Sequence, residues 1–139
     1  MPTQTTTLSP AVRRFLSWPL RHAQIATVGR DGAPHQAVVW YEIDDGGILI
    51  NSLVGRRWPT DLDRDPRIAF TVIDEEIEVE VYVTVQATAV VVATGERALG
   101  HIQDLARRYG SDPAEFDGQA RISFRLEPLA VTVHGDIER

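Results

Sequence analysis

Apolar and polar residues alternate from Ile77 to Gln86 within EEIEVEVYVTVQATAVVVA, residues 75–93. Ile77, Val79, Val81, Val83 and Val85 fall on one side; Glu78, Glu80, Tyr82, Thr84 and Gln86 fall on the other. Successive side chains of a strand point to opposite faces, so this period of two predicts one face on a core and the other on water or a partner. Upstream, HAQIATVGRDGAPHQAVVWYEIDDGGILINSLV, residues 22–54, reads as three strands joined by turns at RDGAP and DDGG, where glycine supplies positive φ. RIAFTVID, residues 67–74, is a fourth strand, and ARISFRLEPLAVTVHG, residues 120–135, a closing pair. Helical spacing appears twice. Ser9 is an N-cap ahead of Pro10, Val12, Phe15 and Leu16 share a stripe with Trp18 at its edge, and Pro19 stops the helix. In TGERALGHIQDLARRYGSDP, residues 94–113, Ala98, Ile102, Leu105 and Ala106 form the stripe, Tyr109 lies one turn on, and Gly110 and Pro113 end it. Residues 1–8 are expected to be a disordered arm and residues 9–139 a single domain. Six or seven short, mostly antiparallel strands with two or three helices point to a small β-barrel rather than an alternating α/β sheet.

Composition narrows the chemistry. A chain of 139 residues suits one domain. It has no cysteine, which removes disulfides, thiolate metal sites and cysteine nucleophiles. The net charge is −6, and all 14 basic residues are arginine. An acidic chain argues against nonspecific nucleic-acid binding, and without lysine a Schiff base cannot form. The arginine bias is one associated with GC-rich bacterial genomes. The first residues lack the pattern of a signal peptide, and no apolar run approaches a membrane span, so a cytoplasmic protein with no membrane partner is expected.

The segment LVGRRWPTDLDRDPR, residues 53–67, places two arginines where a strand turns into a helix. Leu53 ends the strand, Gly55 frees the backbone, and Pro59 sets the first turn of a helix through Leu62. Unpaired N–H groups at a helix start and guanidinium forks together suit a phosphate. The same arginines, Arg56 and Arg57, also balance Asp61, Asp63 and Asp65 as a solvated pair, and spacing leaves both readings open. In AVVWYEI, residues 37–43, the aromatic pair either flanks a planar ligand or sits half in the core. His22, His35, His101 and His134 have no metal-ligand spacing, and structural or surface roles are expected for them. Neither a Gly-x-Ser-x-Gly elbow nor a Gly-x-Gly-x-x-Gly loop after a strand is present. An anion site and flat apolar surfaces, without nucleophile or metal, call for an organic cofactor.

From Arg21 to Val133 the order of these elements, and above all GRRWPxxLxRDPR after a DG hairpin, resembles the flavin/deazaflavin split-barrel oxidoreductases, relatives of pyridoxamine phosphate oxidase. The resemblance leans to the branch that uses the deazaflavin coenzyme F420. It implies a mainly β fold, a six-stranded antiparallel split barrel with flanking helices, forming a homodimer with cofactor sites at the interface. It implies that Asn51, Ser52, Arg56, Arg57 and Thr60 hold the cofactor phosphate, and that the tricyclic ring lies along Val38, Val39, Trp40 and Tyr41. Many members carry a lysine where this chain has Trp58; either Arg57 replaces that cation or Trp58 stacks on the cofactor. The implied activity is hydride transfer between reduced F420 and a small conjugated or heterocyclic acceptor, with the proton from solvent, Tyr41 or Tyr82. The alternatives are an FMN-binding oxidase or electron carrier, and a non-catalytic dimer that binds the cofactor or a tetrapyrrole. No metal is implied, and no catalytic residue is assigned.

Overall fold

In the computed structural model, residues 3–75 and 80–138 are described. The elements run β1 (Thr3–Thr5), α1 (Pro10–Ser17), β2 (Ala23–Val28), β3 (Pro34–Val39), β4 (Glu42–Asp44), β5 (Gly47–Leu53), α2 (Arg57–Arg64), β6 (Arg67–Ile73), β7 (Tyr82–Thr94), α3 (Gly95–Arg108), a 3-10 turn (Pro113–Phe116) and β8 (Arg121–His134). All strand pairs are antiparallel. Seven strands follow one path, β3-β2-β6-β7-β8-β5-β4, and β1 adds to β8 as an eighth, where the resemblance implies six. The ends of that path, β3 and β4, do not pair with each other, which leaves the barrel split.

The alternation in β7 does what the sequence predicts. Val81, Val83, Val85 and Ala87 are buried, while Gln86 and Val90 are exposed on the other face. Burying such side chains is worth roughly 1.5–3 kcal/mol each. A slip of one residue would bring Tyr82, Thr84 and Gln86 inward instead, so the core fixes the register. The part of the expected strand at residues 76–79 lies outside the described residues.

Four expectations change. The middle strand of residues 22–54 is broken at Trp40 and Tyr41 into β3 and β4, because Tyr41 turns fully into the core and donates its hydroxyl to the Leu16 carbonyl at 2.7 Å. The closing pair of strands is one strand, β8; its register against β7 shifts where Gln86 faces Ala130 and Ala87 faces Pro128. Proline has no N–H for the ladder, so a bulge rather than a turn absorbs it. The arm expected to be disordered contributes Thr3–Thr5, paired with Val131–Val133 of β8. Trp18 follows α1 and is exposed, while Val12, Phe15 and Leu16 enter the core as expected.

The sheet has two unlike faces near its centre. Ile48 and Ile50 of β5 and Phe124 and Leu126 of β8 point into the barrel. The opposite face carries Leu49 and Asn51 of β5 beside Arg125 and Ser123 of β8, with Arg121 opposite Leu53. Helix α3 covers this polar face and buries Ala98, Ile102, Leu105 and Ala106. No helix among the described residues is long and apolar enough to cross a membrane.

Candidate functional site

The chain leaves β5 through a tight turn. Arg56 N donates to the Leu53 carbonyl at 3.2 Å, and Gly55 adopts φ +96°, a conformation that disfavours any side chain. Helix α2 then starts at Arg57, two residues longer at each end than Pro59 to Leu62 suggests, with Arg56 as an extended N-cap. Its underside is latched to β2. Thr27 Oγ1 donates to Asp61 Oδ2 at 2.9 Å, and the Arg64 guanidinium donates to Asp61 Oδ1 at 3.0 Å. Burial pushes the Asp61 carboxyl up, but the bonds from Arg64 and Thr27 outweigh it and hold the group below its ordinary value.

A cavity of about 200 Å³ opens between the C-terminal ends of β3 and β5, roofed by α3. Seven of the expected residues line it: Val38, Val39, Trp40, Asn51, Ser52, Arg56 and Trp58. Tyr41, Arg57 and Thr60 do not. The Tyr41 side chain is fully buried in the core, and burial raises its phenol well above the ordinary value. The Arg57 guanidinium reaches the β2–β3 turn, where a Cβ on Gly29 would lie 3.4 Å from it, and adds its charge beside Asp61. Thr60 Oγ1 donates to the Arg56 carbonyl at 2.7 Å. Trp58 is buried with its ring 5.7 Å from that of Phe124, so it forms a wall of the cavity rather than an exposed platform. Tyr82, a candidate proton donor, stacks on His134 at 4.1 Å and is not part of this cavity.

The residue the sequence reading missed is Arg121. Only 7% of it is exposed, yet it lines the cavity next to Arg56 and makes no ion pair among the described residues. Its Nε donates to Asn51 Oδ1 at 2.9 Å, and another guanidinium nitrogen donates to Gln119 Oε1 at 3.1 Å. Burial first, and the Arg56 charge second, depress it from the ordinary guanidinium value to about 10. The Asn51 amide is fixed in turn, with Nδ2 donating to the Ala98 carbonyl at 2.8 Å and to Ser123 Oγ at 2.9 Å. The signal for Arg121 was present as polar alternation in RISFRLE, but its place beside β5 depends on pairing across about seventy residues, with Leu53 opposite Arg121.

The other end of the cavity is aromatic and aliphatic. Trp40 stacks on Tyr109 with ring centroids 5.2 Å apart and planes 9° from parallel, and Phe116 meets it edge-on. The Tyr109 hydroxyl donates to the Arg21 carbonyl at 2.7 Å, which holds the stack in place. Ile102 and Leu105 close the roof, and the exposed His22 stands at the mouth. Two guanidinium groups, an amide and a hydroxyl at one end and a flat apolar wall at the other suit an anionic group attached to a planar body. No cluster of three or more His, Asp or Glu among the described residues is arranged to hold a metal.

The family model for pyridoxamine 5'-phosphate oxidase matches residues 8–135. No curated protein matches the sequence. Among solved structures, the chain is similar to the heme storage protein HutZ from Vibrio cholerae, at 21% identity, TM-score 0.73, over 95% of this chain and 99% of that one. It is similar to an F420 reductase at 24% identity and TM-score 0.65, over 82% of this chain and 91% of that one. It is also similar to an FAD-binding protein from Mesorhizobium loti at 12% identity and TM-score 0.64, over 98% of each chain. At these identities the likenesses establish the shared fold.

Proposed function

The chain belongs to the pyridoxamine 5'-phosphate oxidase family, and from that premise we propose that it is an oxidoreductase that binds coenzyme F420 and serves hydride transfer to a small conjugated or heterocyclic acceptor. The observation that carries this reading is Arg121. A buried guanidinium that makes no ion pair among the described residues, in the field of a second guanidinium, is costly unless an anion completes it. Arg121 and Arg56 bind the coenzyme phosphate, with Ser52 beside them and Asn51 holding Arg121 in place. Val38, Val39 and Trp40 orient the ring, and Ile102, Leu105 and Phe116 keep water from it. When bound, the reduced deazaflavin supplies the hydride. Tyr41 and Tyr82 lie outside the cavity, so the proton comes from solvent, with His22 the titratable side chain at the mouth.

A second copy of the chain belongs to this reading. A cavity of about 200 Å³ falls short of the ~300–1,000 Å³ of ordinary ligand pockets. One wall is β3, a strand with an unpaired edge, where Val38 is 64% exposed. A homodimer covers that edge and completes the pocket. FMN shares the phosphate and the flat ring, so the coenzyme is assigned by titration. Purified protein is mixed with F420 and, separately, with FMN, and fluorescence is followed. Saturable F420 binding that is lost in the Arg56→Gln/Arg121→Gln double variant supports the assignment; binding of FMN alone, or wild-type affinity in the double variant, overturns it.

One observation favours a second reading, storage of a tetrapyrrole without turnover. His22 offers an imidazole at the cavity mouth, and a heme storage protein shares the fold over nearly the whole chain. Tight hemin binding that depends on His22, with no oxidation of reduced F420 by a broad acceptor panel, would favour it.

A further inference from the structure

Beyond the Asn51 amide lies a second cavity, larger than the first, of about 460 Å³. It sits on the same polar face of the sheet, at the other edge of α3. Two guanidinium groups reach it. Arg125 is held by Asp44, with nitrogen and oxygen 3.0 Å apart. It lies flat against Gly46, where a Cβ would stand 2.5 Å from Arg125 Nε, so only glycine at 46 leaves it that room. Arg97 is exposed on the first turn of α3 and makes no ion pair among the described residues. One lining carboxylate, Asp44, therefore faces two lining guanidinium groups. The inner wall is polar: Ser123 Oγ lies 2.7 Å from His101 Nδ1 in a hydrogen bond, and His101 Nε2 faces Glu42 Oε1 at 2.9 Å. Leu49, Val92 and Ala93 supply an apolar wall.

We propose that this cavity is a second binding site, for a small organic acid or phosphate ester with an apolar body. The anionic group meets Arg97 and Arg125, and the body rests on Leu49, Val92 and Ala93. The site is separate from the coenzyme cavity. Arg121 and Arg125 are four residues apart on one strand, ~13 Å at the usual rise, and the Asn51–Ser123 bond stands between them. This proposal holds whichever coenzyme fills the first cavity.

The test uses the full chain, isotopically labelled, titrated with benzoate and, in a separate sample, with phenyl phosphate. The methyl signals of Leu49 and Val92 and the imidazole signals of His101 are followed by NMR. Saturable shifts at these three residues are expected, and the Arg97→Gln/Arg125→Gln double variant should weaken binding about tenfold or more, the loss of a charge-assisted contact. Because Arg125 also bonds Asp44, the exposed Arg97→Gln single variant is run alongside, and it too should weaken binding without lowering the melting temperature. Tighter binding of benzoate identifies a carboxylate ligand, and tighter binding of phenyl phosphate a phosphate ester. Shifts that fail to saturate below roughly 10 mM, shifts confined to the residues around Arg121, or unchanged affinity in both variants would overturn the proposal.

Discussion

Replacing Arg121 by glutamine separates a binding cation from a structural one. The variant removes a guanidinium that is 7% exposed and donates to Asn51 Oδ1 at 2.9 Å. A hydrogen bond from a charged donor to a bound anion is worth roughly 1.5–3 kcal/mol. At about 1.4 kcal/mol per factor of ten, coenzyme affinity should fall by ~10- to ~150-fold. The unliganded protein should respond much less. Leaving Asn51 Oδ1 without its donor costs about 1–3 kcal/mol. Against this, burial and the neighbouring Arg56 charge burden the charged form, a cost on the order of a few kcal/mol, which glutamine removes. The two nearly offset, so the unliganded melting temperature should move by only a few degrees, at roughly 3–5 °C per kcal/mol for a domain of this size. The control is Arg57→Gln, whose guanidinium lies by Gly29 and Asp61 outside the cavity; affinity there should change by less than about twofold. Fluorescence titration with F420 and FMN gives the affinities, and thermal melts with and without coenzyme give the stabilities. Wild-type affinity in Arg121→Gln, or a larger loss in Arg57→Gln, would refute the assignment of the anion to the inner guanidinium.

Three further outcomes follow from the same geometry. Asp61 is held below its ordinary value of 3.8, so it stabilises the fold above that pH and loses the contribution as pH falls through its folded value. Asp61→Asn should therefore be less stable than wild type by about 1–3 kcal/mol at neutral pH, with the gap closing in strong acid; urea melts showing a pH-independent gap would contradict this. Tyr41→Phe removes the bond to the Leu16 carbonyl and should cost about 1–3 kcal/mol in stability while leaving coenzyme affinity unchanged, so a loss of affinity without a loss of stability would return Tyr41 to the site. Light scattering should give twice the 15.5 kDa mass of one chain, and Val38→Glu, which charges the exposed apolar position on the unpaired β3 edge, should shift the particle toward monomer; a particle of single-chain mass at every concentration would remove the second copy from the pocket.

Local pattern carried most of the architecture. The valines of β7, the stripe of α3 and the glycine turns all act over a few residues, and period alone places them. It also picked out seven of the residues that line the cavity. Arg56 and Arg57 are adjacent, and the helix begins between them; neighbouring helical positions point about 100° apart, so one guanidinium enters the cavity and the other turns to Asp61. No spacing rule separates the two until the helix start is known. Trp58 was a candidate stacking platform because it stands where many relatives carry a lysine, yet it is buried, with Phe124 from the far end of the chain packed beside it. Arg121 was beyond local reach for the same reason, since only the pairing of β5 with β8 brings it to Asn51. The break at Trp40 and Tyr41 was hidden as well, because a strand and a strand interrupted by an inward-facing tyrosine share one run of apolar letters.

The absence of lysine has a consequence at the inner cation. A primary amine begins its titration about two pH units below a guanidinium. Burial and a neighbouring positive charge of the kind that Arg121 bears would push that titration lower still, and an amine's grip on an anion would weaken as the surroundings became less acidic. A delocalised cation tolerates the same enclosure and stays charged, so the pocket keeps its electrostatic invitation across the whole range in which a cell operates.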